Sequence, residues 1–251
     1  MQSGPIHFDS TERWPRHSVY AGTEATTWIS AKLRSPRRTA YFQRYKKKLM
    51  DEFFNIFLTE FGAPFYREQV PISSITRYRG RLPDQLLTYW EEHGWSGYAD
   101  GLFWTVNPQE FEPVVTEWVK QNPTIVGDSY HVIARNAFGD LHLWGENTET
   151  CLTIDACWAR YSYTRSKVSK DRNISTFFAI LDREHCDPLA FFDAARKRLG
   201  RLKHDEMYGF VPALALGGLA QERSLEVVKM IEHLLFLSQL EPLRHIGLKD
   251  I

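Results

Sequence analysis

Between residues 95 and 106, and again between 130 and 163, the apolar residues of this chain fall in short segments broken by glycine, and elsewhere they recur mostly at three- and four-residue steps. Short segments joined by tight turns pair as neighbouring strands, whereas the longer period buries one face of a helix. Strands gathered in mid-chain, with helical patterns on either side, predict an α+β fold rather than an alternating parallel one. The expectation is mixed helices with a mainly antiparallel sheet and a helical C-terminal part.

The pattern places a first helix from Thr39 or Tyr41 to Glu60, with Tyr45, Leu49, Phe53, Ile56, Phe57 and Leu58 on its apolar face. Gly62 and Pro64 stop it. Val70–Tyr78 reads as extended. Leu82-Pro83-Asp84 opens a helix that ends at Gly94, because proline and an acid suit the first turn. Asp100-Gly101 between two aromatic runs is a hairpin signal. Asn107-Pro108 opens a further helix that carries Phe111, Val114, Val115, Trp118 and Val119. Strands are expected at Tyr130–Arg135 and Leu141–Trp144, about the turn Phe138-Gly139-Asp140, and one more within Ile154–Tyr163. The polar stretch Ser166–Asn173 reads as a surface loop. A helix runs from Pro188 to Gly200, Asp205–Gly218 is a shaped loop, and a final helix spans about Ser224–Gln239.

The chain has 251 residues, 43% of them apolar and 25% charged, enough for a sizeable core and unlike a disordered or fibrous chain. No run of about 18 apolar residues exists to span a membrane. Formal net charge is zero, but residues 1–50 carry ten Lys/Arg against three Asp/Glu, so the remaining body is net acidic. An acidic body is poorly suited to phosphate and better suited to a cationic partner. No direct nucleic-acid or membrane contact is expected of it. Cys151, Cys157 and Cys186 are too few and odd in number for a disulfide framework, and no apolar signal segment follows Met1, so a cytoplasmic setting is expected. We divide the chain into a basic, loop-rich extension (1–48), a first domain (49–165) and a C-terminal domain (166–251) packed as one body with it.

Motifs of nucleotide binding and of nucleophilic or zinc-dependent hydrolysis are absent: no Gly-x-Ser-x-Gly, P-loop, Gly-x-Gly-x-x-Gly or His-Glu-x-x-His occurs. His131, His142, Cys151 and Cys157 lack the tight spacing of structural zinc ligands, so neither a metal nor another cofactor is expected. Adjacent carboxylates at Glu91-Glu92 diverge by about 100° on a helix and do not meet on one substrate atom. Asp205-Glu206 stand before the constrained run Met207-Tyr-Gly-Phe-Val-Pro-Ala-Leu-Ala-Leu-Gly-Gly218. They serve either as caps and turn formers or as functional acids. Tyr98 and Trp95 beside Asp84, Glu91 and Asp100 would form an aromatic and acidic patch able to grip a basic protein surface, if the side chains are exposed.

Several of these runs resemble a known family. Phe61-Gly-Ala-Pro64, Leu82-Pro-Asp84, His93-Gly-Trp-Ser-Gly-Tyr98 and Gly101-Leu-Phe-Trp104 with Val106-Asn-Pro108 are similar to the GAD-like domain. Asn136-Ala-Phe-Gly-Asp140, Leu199-Gly200, Asp205–Gly218 and Glu232-His-Leu234 resemble the C-terminal domain that accompanies it. The pairing is that of immunity proteins for type VI secretion DNase effectors. The resemblance implies a non-enzymatic cytoplasmic protein that binds the basic nuclease domain of its cognate DNase effector toxin and blocks it. No family interface residue can be carried over, so the partner-binding set Asp84, Glu91, Glu92, Tyr98, Asp100, Asp205 and Glu206 rests on the acidic and aromatic patches alone. The competing reading is a metal-dependent hydrolase or nucleotide-binding protein that uses the carboxylates near Asp205. An immunity module of the SUKH type, directed at another toxin, is a further alternative.

Overall fold

The computed structural model describes residues 52–120, 122, 125, 127–164 and 167–246, all within one compact unit that spans Lys48–Ile251. The basic extension and the start of the first expected helix lie outside the described residues. Helix α1 (52–61) buries Phe54, Phe57 and Phe61 and ends at Gly62, whose φ of 76° only glycine adopts at no steric cost. After strand β1 (Tyr66–Glu68) comes helix α2 (Ile72–Tyr78), where an extended segment was expected. The amides of Ser74 and Ile75 donate to the Pro71 carbonyl, and Ile75 and Tyr78 turn inward together. Burial at three-residue spacing has overridden the β preference of the isoleucines. Helix α3 (Asp84–His93) starts after Pro83 and ends at Gly94 as expected.

Strands β2 (Trp95–Tyr98) and β3 (Phe103–Thr105) form the expected hairpin about Asp100-Gly101. A 3-10 turn at Pro108–Phe111 leads into helix α4 (Glu112–Lys120). Strands β4 (Tyr130–Asn136) and β5 (Leu141–Gly145) follow. The single strand expected within Ile154–Tyr163 is two, β6 (Cys151–Asp155) and β7 (Arg160–Thr164). A turn at 156–159 with Ala159 at φ 49° separates them. The eight-stranded sheet has the order β1-β2-β3-β4-β5-β6-β7-β10, antiparallel except where β10 (Arg244–His245) lies parallel to β7.

In the C-terminal part, Ser169 caps helix α5 (Lys170–Ile180) by accepting the Arg172 amide, so the expected polar loop supplies a helical first turn. Helices α6 (Arg183–Cys186) and α7 (Phe192–Leu199) follow. Strand β8 (Glu206–Phe210) pairs with β9 (Leu225–Lys229), and helix α8 (Met230–Ser238) closes the part. Two expectations are therefore corrected. The loop at 205–218 begins as a strand, and the first third of the expected final helix is its partner strand. Leu225-Glu-Val-Val-Lys has β-branched residues, and pairing with β8 decides a segment that periodicity alone left helical.

Helix α3 packs on α5, and α4 on α8. Phe178 of α5 meets Phe57 of α1 at a ring separation of 5.4 Å, and Phe57 also stacks on Phe61 and meets Tyr98 edge-on. Such pairs contribute about 0.5–1.5 kcal/mol each beyond their buried area. Residues on both sides of position 165 thus share one aromatic core. Among the described residues no helix is long and apolar enough to cross a membrane.

Candidate partner-binding surface

The turn between β4 and β5 is where three segments meet. Asn136 shapes it: its Oδ1 accepts the amides of Phe138 and Asp140, both at 2.9 Å. Its Nδ2 donates to Asp140 Oδ2 at 2.8 Å and to the Cys186 carbonyl at 3.1 Å. The Tyr208 amide donates to the Ala137 carbonyl, which ties β8 to the same turn. Gly139 sits at φ 87°, and a Cβ there would lie 2.5 Å from Met207 Cε.

Beside this turn opens a cavity of about 240 Å³. Phe138, Trp158, Leu189, Phe191 and Phe210 form its apolar walls, and Asp140, Asp155, Asp187 and Arg160 are its charged lining. Arg160 donates to Asp155 Oδ2 from both Nη2 (2.7 Å) and Nε (3.3 Å), and its guanidinium lies 5.3 Å from the Trp158 ring centre. Asp187 accepts the amides of Phe191 and Phe192, both at 2.9 Å, and so holds the start of α7. Asp140 and Asp187 both hold their protons to higher pH than ordinary carboxyls. Burial is the main cause for each, seconded at Asp140 by the charge of Asp155 and opposed at Asp187 by the two amides. Burial also raises the thiols of Cys151, Cys157 and Cys186, which leaves little thiolate at neutral pH.

Two apolar side chains of the lining reach the surface beside the part-exposed Arg160. Trp158 is 40% exposed, and Leu189 is exposed as well. Past Phe210 the chain closes a compact loop, with Gly218 N donating to the Ala213 carbonyl. That loop presents Val211, Leu216 (59% exposed) and Leu219 to solvent. Exposed apolar side chains clustered along one segment mark an interaction surface more often than an isolated leucine does.

The acidic residues expected to grip a partner do not converge. Tyr98 is fully buried against Phe57, so its ring offers no contact surface. Asp100 is bracketed by Arg196 (2.9 Å) and Arg201 (2.6 Å), which matches its charge internally. Asp205 pairs with Lys229, and Glu206 with Lys203. Lys229 holds the Asp205 carboxyl below its usual range. The segment that carries Asp205 is pinned by Arg135, which is wholly buried. Arg135 donates to the carbonyls of His204 (2.8 Å) and Asn136 (3.1 Å) and lies 4.7 Å from the Trp104 ring centre. Burial lowers the Arg135 pKa to about 9, against the charges of Asp205 and Glu110, so it remains a cation at neutral pH. Asp205 is thus already held in a surface ion pair with Lys229. Asp84, Glu91 and Glu92 are exposed on α3, and Glu91 borders a second cavity that Arg67 and Arg79 also line.

Sequence reasoning missed Asp140, Asp155, Trp158, Asp187 and Leu189 as a group. The Asn136–Asp140 run stood out, but nothing in the sequence joins it to residues 155–160 and 187–191. His142, considered as a metal ligand, lies against Phe103 and Phe177, and burial lowers its pKa to about 4. Among the described residues no group of three or more His, Cys, Asp or Glu side chains could hold a metal ion.

An exposed apolar surface around a small, acid-lined cavity is the make-up of a partner-binding protein. Two consecutive family models match the chain, the GAD-like domain over residues 52–158 and the C-terminal domain of the T6SS immunity protein Tdi1 over residues 171–241, and the chain belongs to the type VI secretion effector immunity family. The fold is similar to that in the crystal structure of Atu4351 from Agrobacterium tumefaciens, with a TM-score of 0.69 and 20% identity, over 79% of this chain and 95% of that one. A search of curated proteins found no match.

Proposed function

We propose that this immunity protein neutralises a cognate DNase effector in the cytoplasm of the producing cell, by protein–protein contact and without catalysis of its own. The observation that carries the reading is the apolar surface around the β4–β5 turn. There the region matched by the GAD-like model and the region matched by the Tdi1 C-terminal model line one cavity. A nuclease must hold polyanionic DNA and so presents Lys and Arg. Asp84, Glu91 and Glu92 on α3 give an exposed acidic face suited to steering such a partner. The internal pairing of Asp205 with Lys229 speaks against a metal-dependent hydrolase built on that carboxylate.

The test is to mix the purified chain with the nuclease domain of the effector encoded beside it, and to follow DNA cleavage and complex formation by size-exclusion chromatography. Stoichiometric complex formation with loss of cleavage supports the proposal. Uninhibited cleavage at excess chain, or turnover of a phosphoester by the chain alone, overturns it.

A further inference from the structure

We infer that the cavity beside the β4–β5 turn receives one long cationic side chain, a lysine or an arginine, from the surface of the effector. The identity of the partner rests on the proposed function; the chemistry rests on the cavity.

Size comes first. At about 240 Å³ the space falls below the roughly 300–1,000 Å³ of sites for drug-sized ligands and suits a single extended side chain. The walls come next. Phe138, Trp158, Phe191 and Phe210 offer ring faces and edges along which a methylene stem packs, and ring faces attract a cation. Charge then selects the occupant's head. Three acidic side chains line the space against one guanidinium, and Arg160 is already held by Asp155. Asp140 and Asp187 make no salt bridge within the lining; Asn136 Nδ2 donates to the first, and the Phe191 and Phe192 amides to the second. An apolar occupant would remove remaining water from both without adding a partner, which makes their ionisation costlier still. A cation compensates both. The same recognition already occurs inside the protein: Arg160 sits by Trp158 with its carboxylate, and Arg201 lies 4.9 Å from the Phe65 ring centre while bonded to Asp100. The exposed residues Trp158 and Leu189 at the rim exclude water around a buried anchor, the arrangement typical of a hot spot.

The experiment has two arms, both with the full chain. In the first, n-butylguanidinium and its neutral isostere n-butylurea are titrated while the Trp158 indole N–H is followed by NMR, the signal assigned with Trp158→Phe. We expect a saturable shift with butylguanidinium, at least about tenfold weaker binding of butylurea, and loss of that preference in Asp140→Asn. Equal binding of the two probes, or no shift at Trp158, overturns the inference. In the second arm the affinity for the effector nuclease domain is measured for Asp140→Asn and Leu189→Lys. Leu189 is exposed, so the second variant keeps the core intact while it sets a cation of the chain's own at the mouth. A drop of at least about tenfold in both is expected, as for an anchor position. Unchanged affinity in both, with the parent chain still binding, overturns the inference and leaves the immunity reading standing. A parent chain that binds butylguanidinium but no nuclease overturns the partner, and with it the DNase reading.

Discussion

Replacing Asp140 with asparagine removes one titrating group whose folded and unfolded pKa values differ widely. The unfolded carboxyl ionises near the ordinary value of 3.8, whereas in the folded chain it is pushed up to about 7, by burial first and by the charge of Asp155 second. Bonds from Asn136 and the Ala156 amide, and the Arg160 charge, oppose the shift without cancelling it. Between those two values the folded state binds more protons than the unfolded state, so stability falls as pH rises. The slope approaches about 1.4 kcal/mol per pH unit for one proton. Below the lower value both states are protonated and nothing is lost. Above the higher value both are ionised and the loss is complete. Over the whole window the loss is about 2–4 kcal/mol, the lower figure applying if Asp155 shares the proton. The assay is urea unfolding of the parent chain and Asp140→Asn at half-unit steps from about pH 4.5 to 8. The difference between their unfolding free energies cancels the carboxyls that do not interact with Asp140 and should fall steadily, then level off above about pH 7.5. A difference that is flat across the series refutes the claim that the fold raises the Asp140 pKa.

Gly139→Ala should lower stability by about 1–3 kcal/mol in thermal unfolding, since the new methyl collides with Met207 at a left-handed backbone position; an unchanged melting temperature would show that the turn relaxes freely. Arg135→Met should cost about 3 kcal/mol in urea unfolding, because the His204 and Asn136 carbonyls lose a charged donor, offset in part by the cation no longer being desolvated. Arg135→Lys should recover part of that loss, and a methionine variant as stable as the parent would refute the pinning role.

The helices and strands that carry strong local signals were legible without a structure. Pro83-Asp84 and Gly94 bound α3, Asn107-Pro108 opens the turn into α4, and Asp100-Gly101 folds back β2 on β3, because each depends on backbone restraints within a few residues. The segments that were misread lacked such restraints. Ile72–Tyr78 and Leu225–Lys229 take the conformation that buries Tyr78 in one case and supplies a partner for β8 in the other. The family, too, was legible, in runs such as Asp205–Gly218.

What the sequence determined by itself is an α+β body with an acidic balance, punctuated by glycines and prolines that set its turns. Tertiary structure alone decided which charges pair within the chain. It set Arg196 and Arg201 against Asp100 and Lys229 against Asp205, and it buried Tyr98. It also brought Asp140, Trp158 and Asp187 to one cavity. The physical reason is range. Turn and cap signals act over a few residues, whereas the charge felt by a partner is what remains after side chains far apart in sequence have paired.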